Sequence, residues 1–353
     1  MPEQVQHDEM GFGRPAVSLP AEIPAFAGMT DCGEAWVETP ARSGSNPIMH
    51  LYLPIAGLSV NALVIVLLGG AVGILSGMFG VGGGFLTTPL LIFYGVPPAV
   101  AVASAATQIT GTSVSGVLAH SRRQGVDFRM GMVLVAGGAA GSFAGGFLFR
   151  LLQKTGQIDT IINLLYVALL GWIGLAMARE SVRAVLATRE GKPPPPVTTK
   201  RHRKWITALP FRWRFYGAGL YISPLAPLLL GFVTGLLTVL MGVGGGFILV
   251  PAMLYLFGVS ARVVVGTSLF QGLFVTATTT LVHALTTHAV DLVLAGLLLI
   301  GSVVGAQIGS SMVQRVRPER ARMMLAVIVL TVAIRMAIGL TWQPDAIYTV
   351  QAL

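Results

Sequence analysis

Two stretches of nearly bare backbone, Gly80-Val81-Gly82-Gly83-Gly84 and Gly242-Val243-Gly244-Gly245-Gly246, are the parts of this chain best equipped to bind a ligand. Glycine disfavours an unbroken helix and frees the backbone to take φ > 0. Each stretch stands between a long apolar segment and a short one, so residues 85–91 and 247–254 would begin half-helices whose N-terminal N–H groups face the middle of an apolar layer. Such N–H groups hold anions. Gly82, Gly83, Gly84, Gly244, Gly245 and Gly246 are therefore candidate substrate-binding residues. Small residues also let apolar helices approach closely, and that packing role is the competing explanation. The stretches spell neither a dinucleotide fingerprint, since Phe85 and Phe247 occupy the sixth position, nor a P-loop, since no Lys-Ser/Thr follows.

Polar residues recur in the next apolar segment of each half: Ser104, Thr107 and Gln108, then Thr267, Ser268 and Gln271. A Gln in an apolar span must find hydrogen bonds. A substrate oxyanion could accept them from its NH₂ group, and so could a neighbouring helix. Thr107, Gln108, Ser268 and Gln271 join the candidate site. His120 and His283, near the ends of these segments, read as structural, although Asp127 and Asp291 a few residues on leave a proton relay conceivable. Arg262 and Arg335 are weaker candidates, the latter explained by snorkelling toward the Trp342 end.

Catalytic signatures are missing. A rhomboid-like Gly-x-Ser-Gly fails at Ser76-Gly77, where Ile74 replaces the first Gly, and at Ser115-Gly116, where Ser113 does. There is no His-Glu-x-x-His, and the lone Cys32 cannot build a thiolate metal site or an internal disulfide. The chain reads as a non-enzyme that needs no cofactor and no metal.

The elements that must position these residues form a duplication. GILSGMFGVGGGF from Gly73 matches GLLTVLMGVGGGF from Gly235, and the series continues with Gln108 and Gln271, His120 and His283, and Asp127 and Asp291. It ends with Gly137, Gly141 and Gly145 against Gly301, Gly305 and Gly309, whose spacing of four is a packing stripe. Hydrophobic residues make up 54% of the 353 residues and charged ones only 10%, with a mean hydropathy of +0.76. Residues 51–121 and 215–261 contain no Asp, Glu, Lys or Arg. Such runs exceed the ~20 apolar residues that one membrane helix needs. In the first half the long segments are 58–79, 98–120, 130–152 and 158–178, with a short one at 85–95.

The pI near 10.2 arises from Lys and Arg in loops, a topology signal rather than a nucleic-acid signal. Arg122, Arg123 and Arg129 have no basic counterpart in 286–291, whereas the loop carrying Arg150 and Lys154 is poorer than its equivalent with Arg315, Arg317, Arg320 and Arg322. Equivalent loops thus fall on opposite sides, the charge pattern of inverted-topology repeats. The linker 179–214, basic around Pro193 to Pro196, falls on the cytoplasmic side. Residues 1–48 hold seven acids, two arginines and six prolines, and read as a disordered extension, with Met49 an alternative start.

The repeated glycine motif, followed in each half by a Pro, a Gly-Val pair and a small-residue helix, resembles the sulfite exporter TauE/SafE family of membrane permeases over about residues 58–340. The resemblance implies a permease, for sulfite, sulfoacetate or another organosulfonate in many members, with the glycine stretches and nearby polar residues lining the path. The extension and the Pro-rich linker depart from the family without touching its motifs. The expected fold is an all-α polytopic membrane protein of two inverted repeats (49–178 and 215–342) with Gly-broken half-length helices and a tail at 343–353. That amounts to about eight full spans and two short segments. The expected surroundings are the inner (plasma) membrane, a small anionic substrate and no nucleic acid, with room for a homodimer.

Overall fold

The protein is described by a computed structural model over residues 50–79, 83–121, 125–189, 213–215, 219–312 and 318–341. The extension 1–48, Met49, Gly82 and most of the linker lie outside the described residues. Each half opens with a two-stranded antiparallel hairpin that the sequence reading did not anticipate: β1 (His50–Leu53) with β2 (Leu58–Asn61), and β3 (Trp213–Phe215) with β4 (Leu220–Ile222). The first turns at Gly57, whose φ is +66° and whose N–H donates to the Leu53 carbonyl at 2.9 Å. Leu53 and Val60 are buried while Tyr52 is exposed, and in the second hairpin Trp213 and Tyr221 are exposed. An apolar underside with outward aromatics suits the interface between hydrocarbon and water.

Among the described residues, five helices follow each hairpin. The first set is α1 (Ala62–Phe79), α2 (Gly84–Phe93), α3 (Pro98–Ser121), α4 (Phe128–Lys154) and α5 (Ile158–Arg189). The second is α6 (Leu225–Met241), α7 (Gly246–Ala252, continued by a π-helical turn, Met253–Phe257), α8 (Ala261–Thr286), α9 (Leu292–Met312) and α10 (Pro318–Thr341). Pro98 and Pro318 occupy first-turn positions where a missing N–H costs nothing. α5 continues past Ala178 to Arg189, so the linker begins later than composition suggested. α4, α5, α8, α9 and α10 are long and apolar enough to cross a membrane. Their outer faces carry large apolar side chains such as Trp172, 78% exposed, and Phe147, 74% exposed, a pattern that lipid rather than water accommodates.

The half-length helices run back along their predecessors. Gly83, at the start of α2, lies beside Val72 and Ser76 of α1, whereas Tyr94 at its end presents its hydroxyl to the N–H of Asn61 at 3.4 Å. α7 does the same, with Leu249 and Met253 sharing a cluster with Phe215 and Ile222 of the second hairpin.

The halves are interlocked rather than side by side. Gly69, Gly73 and Gly77 of α1 abut the backbone of Leu298, Ser302 and Ala306 of α9, and Gly301, Gly305 and Gly309 reciprocate against Val66, Gly70 and Ile74. Ascending numbers meet ascending numbers, so α1 and α9 run parallel. α4 and α6 repeat the arrangement: Gly137, Gly141 and Gly145 press on Leu228, Phe232 and Leu236, while Gly231 and Gly235 press on Leu134 and Gly138. The equivalent helices α3 and α8 instead run antiparallel, with Thr107 opposite Thr280 and Thr110 opposite Thr276. The first helix of each half therefore packs on the fourth helix of the other, and the two third helices cross between them.

A methyl group on Gly141 or Gly305 would collide with a backbone carbonyl, whereas Gly171 faces open space. Gly141→Ala and Gly305→Ala should each destabilise the purified protein by about 1–3 kcal/mol. Gly171→Ala should be neutral or stabilising by up to ~1 kcal/mol. Thermal unfolding in one detergent compares the three, and equal Tm values would contradict the packing.

Candidate functional site

The glycine break of the second half requires glycine for conformational reasons. α6 ends as Gly242 turns left-handed at φ +70°, its N–H donating to the Thr238 carbonyl at 2.7 Å. Gly244 and Gly245 follow at φ +75° and +73°, values that a side chain strongly disfavours. The Gly245 carbonyl then accepts from Ile248 at 3.1 Å and Leu249 at 2.8 Å, starting α7. In the first half Gly83 is right-handed at φ −61°, and its carbonyl accepts from Leu86 and Thr87, both at 3.2 Å. The first N–H of α7, that of Gly246, donates to the Gly244 carbonyl at 2.8 Å, outside its own helix.

The two breaks meet. Phe85 and Phe247, the residues after them, stack with centroids 4.4 Å apart and planes 8° from parallel. A Cβ on Gly84 would strike the Gly242 carbonyl at 2.6 Å, and Ile109 of α3 would be struck by a Cβ on either Gly84 or Gly244. The Tyr166 hydroxyl of α5 donates to the Met241 carbonyl, satisfying the C-terminal end of α6 at the junction. Gly84, Phe85 and Gly242 to Phe247 are all buried. Of the expected site glycines, Gly83, Gly84, Gly244, Gly245 and Gly246 gather here, and Gly82 lies outside the described residues.

Gln271 of α8 points into this junction. Its Nε2 donates to Thr234 Oγ1 of α6 at 3.3 Å. Its Oε1 is buried without a hydrogen-bond partner, 3.1 Å from where a Cβ on Gly245 would stand. One of the two N–H donors expected of Gln271 is thus committed to Thr234, and the amide atom nearer the break is the acceptor Oε1, Nε2 standing 3.5 Å from the same point. Gln108, 1% exposed, likewise has an unpartnered Oε1. The position equivalent to Thr234 in the first half is Val72, whose Cγ1 faces Gly83 instead.

The other expected residues take different positions. Thr107 donates to the Ala103 carbonyl at 3.0 Å and touches Thr280 Oγ1 at 3.3 Å, placing it on the α3–α8 crossing. Ser268 is buried and donates to the Val265 carbonyl at 2.9 Å within its own helix. Ser104 and Thr267 accept from the backbone N–H of Asp291 at 3.3 Å and Asp127 at 3.0 Å, each reaching into the other half. These aspartates are helix N-caps: Asp127 Oδ1 accepts from Met130, and Asp291 Oδ1 from Val293 and Leu294. Asp291 Oδ2 is buried without a partner.

His283 is fully buried, with Nε2 3.0 Å from the Val239 carbonyl, Nδ1 3.3 Å from Thr287 and its ring edge-on to Phe149. It is a structural tie between α8 and α6. Arg335 lies over the Phe93 ring, 5.5 Å from its centroid. The side chains of His120 and Arg262 lie outside the described residues.

Sequence reasoning missed hydroxyl contacts along α8: Thr110 of α3 donates to Thr276 at 2.8 Å, and Ser142 of α4 lies 3.4 Å from Thr279. It also missed Thr234. The signal for the latter was present, since aligning the repeats sets a Thr against Val72 immediately before the glycine motif.

Comparison with known proteins bears on this architecture. The chain is 28% identical over 273 residues to the probable membrane transporter protein YjnA of Bacillus subtilis, a match covering 77% of this chain and 98% of that protein. A second Bacillus subtilis protein, the probable membrane transporter protein YunE, is 25% identical over 77% of this chain and 96% of its own length. A probable membrane transporter protein of Xylella fastidiosa (strain 9a5c) is 25% identical over 73% of this chain and 87% of its own length. No solved structure matches. The family profile described as sulfite exporter TauE/SafE matches residues 65–336, from within α1 to within α10 and across both glycine breaks, and the chain belongs to that family of membrane transporters.

Proposed function

We propose that the chain is a secondary transporter for a small anion, sulfite or an organosulfonate such as sulfoacetate, which it binds where the two glycine breaks meet. The observation that carries this reading is a junction of helix N-termini built without a fixed charge: residues 51–121 and 215–261 contribute all of α1, α2, α3, α6 and α7, yet hold no Lys, Arg, Asp or Glu. A cation would need a carboxylate here. Asp127 and Asp291, the acids nearest in sequence, stand at the starts of α4 and α9 and each commit an oxygen to capping. An anion can use the N-terminus of α2, worth roughly half a positive charge, without the expense of burying a Lys or Arg.

Inverted-topology repeats in the inner membrane complete the proposal. The antiparallel course of α3 against α8 and the exchange of first and fourth helices support a two-fold axis lying in the membrane plane. A re-entrant α1–α2 and its counterpart α6–α7 then leave each half an odd number of crossings, as the alternating loop charges require. Irregular backbone at that depth is tolerated because it lies within protein.

Two experiments test the reading. Single cysteines at Gln124 and His288, in a Cys32→Ser background, should react with an impermeant maleimide from opposite faces of the membrane. Labelling from one face overturns the inversion. Purified protein should be stabilised by sulfite or an organosulfonate, by about 2.7 kcal/mol at a hundredfold excess over Kd, and proteoliposomes should show saturable uptake of the same anion. Saturable transport of an organic cation, unaffected by sulfur oxyanions or carboxylates, would overturn the assignment, and conductance without saturation would make the protein a channel.

A further inference from the structure

We propose that Gln271 selects anions that carry a hydrogen-bond donor of their own, such as a hydroxyl or a protonated oxygen, and that Thr234 fixes this selectivity by locking the Gln271 amide. The proposal rests on the anion-site reading and specifies which anions that site prefers.

The argument begins with which end of the amide faces the break, a choice that only the hydrogen-bond network can make. The Thr234 hydroxyl donates to the Gly231 carbonyl at 2.9 Å, so its single proton is spent and its oxygen can only accept. The group that reaches it from Gln271 must therefore be the NH₂, at 3.3 Å. That orientation turns Oε1 toward Gly245, where it is buried and has no partner. Gln271 is fully buried, so bulk water does not satisfy this oxygen. A ligand at the break thus meets an acceptor that only a donor can satisfy. An anion bearing an O–H or N–H group supplies one, whereas an anion with bare oxygens sets negative charge against a carbonyl dipole. Sites built around an otherwise unmatched polar group discriminate strongly against analogues lacking its partner.

The two halves differ at this lock. Val72 stands where Thr234 stands in the second half, so no hydroxyl at that position fixes the Gln108 amide. Both glutamines carry a buried, unpartnered Oε1, and the Thr234 bond that holds the Gln271 amide has no equivalent hydroxyl at Val72.

The test uses purified full-length protein and two sulfonates that differ by one hydroxyl group, 2-hydroxyethanesulfonate and ethanesulfonate. Each is measured as a competitor of the best-bound anion from a sulfite, sulfoacetate and carboxylate panel. The wild type should bind the hydroxylated compound at least about tenfold more tightly. Thr234→Val keeps the side-chain shape but frees the amide to rotate, and should bring the ratio to unity or reverse it. Gln271→Met should abolish the preference as well, and if that variant does not fold, Thr234→Val decides. A merely structural Thr234 would weaken both sulfonates alike and leave their ratio intact. Equal affinities in the wild type, an unchanged ratio in the variants, or failure of 2-hydroxyethanesulfonate to compete would overturn the proposal while leaving the anion site standing. If nothing in the panel binds, both fall together.

Discussion

A helix that stops inside a hydrocarbon layer exposes backbone N–H and C=O groups that lipid cannot satisfy, each at a cost of several kcal/mol. Two helix interruptions occur here, and the rest of the architecture encloses them in protein. α1 and α9 on one flank, and α4 and α6 on the other, approach until glycine faces carbonyl along several turns. α3 and α8 cross between these pairs and bring Ile109 and Gln271 against the broken backbone. The Tyr166 hydroxyl and the stacked Phe85 and Phe247 close the remaining side. Without the glycine stripes the flanking helices would stand farther apart, and the breaks would lose their walls.

The exchange of partners between halves follows from the same requirement. A half alone would leave its glycine break without the walls that the other half supplies. Packing the first helix of each half on the fourth helix of the other gives both breaks a common interior and fixes the halves to one another. The aspartate caps reinforce this, because the backbone N–H of Asp127 and Asp291 donates to hydroxyls supplied by the opposite half. The second break is committed to glycine by its dihedral angles, the first by the nearness of Val72, Ile109 and the Gly242 carbonyl. Duplicated sequence thus adopts two local solutions, and the pairing of Thr234 with Gln271 has no counterpart at Val72.

Much of this was legible in the residues. The duplication, the apolar segments, the short pieces after each glycine motif and the packing character of the stripes follow from periodicity and composition, because a segment's own residues decide whether it favours a helix or interrupts one. The hairpins were hidden because β1 and β2 are four residues each and continue the apolar run into α1, where no alternation distinguishes strand from helix. The overrun of α5 was hidden for a related reason: charge marked 179–189 as linker, although Ser181 is buried and the helix continues.

The sequence by itself therefore determined the apolar helical segments, the short pieces after each glycine motif and the family to which they belong. Tertiary structure alone decided which faces meet, since a glycine stripe specifies close approach without naming the helix that approaches. It likewise decided that Asp127 and Asp291 cap helices, that His283 ties α8 to α6, and that Gln271 turns an oxygen toward Gly245. Each of those outcomes depends on a partner distant in the chain, Thr267, Ser104, Val239 or Thr234, and the hydrogen-bonding direction of a side chain is set by the partner it finds.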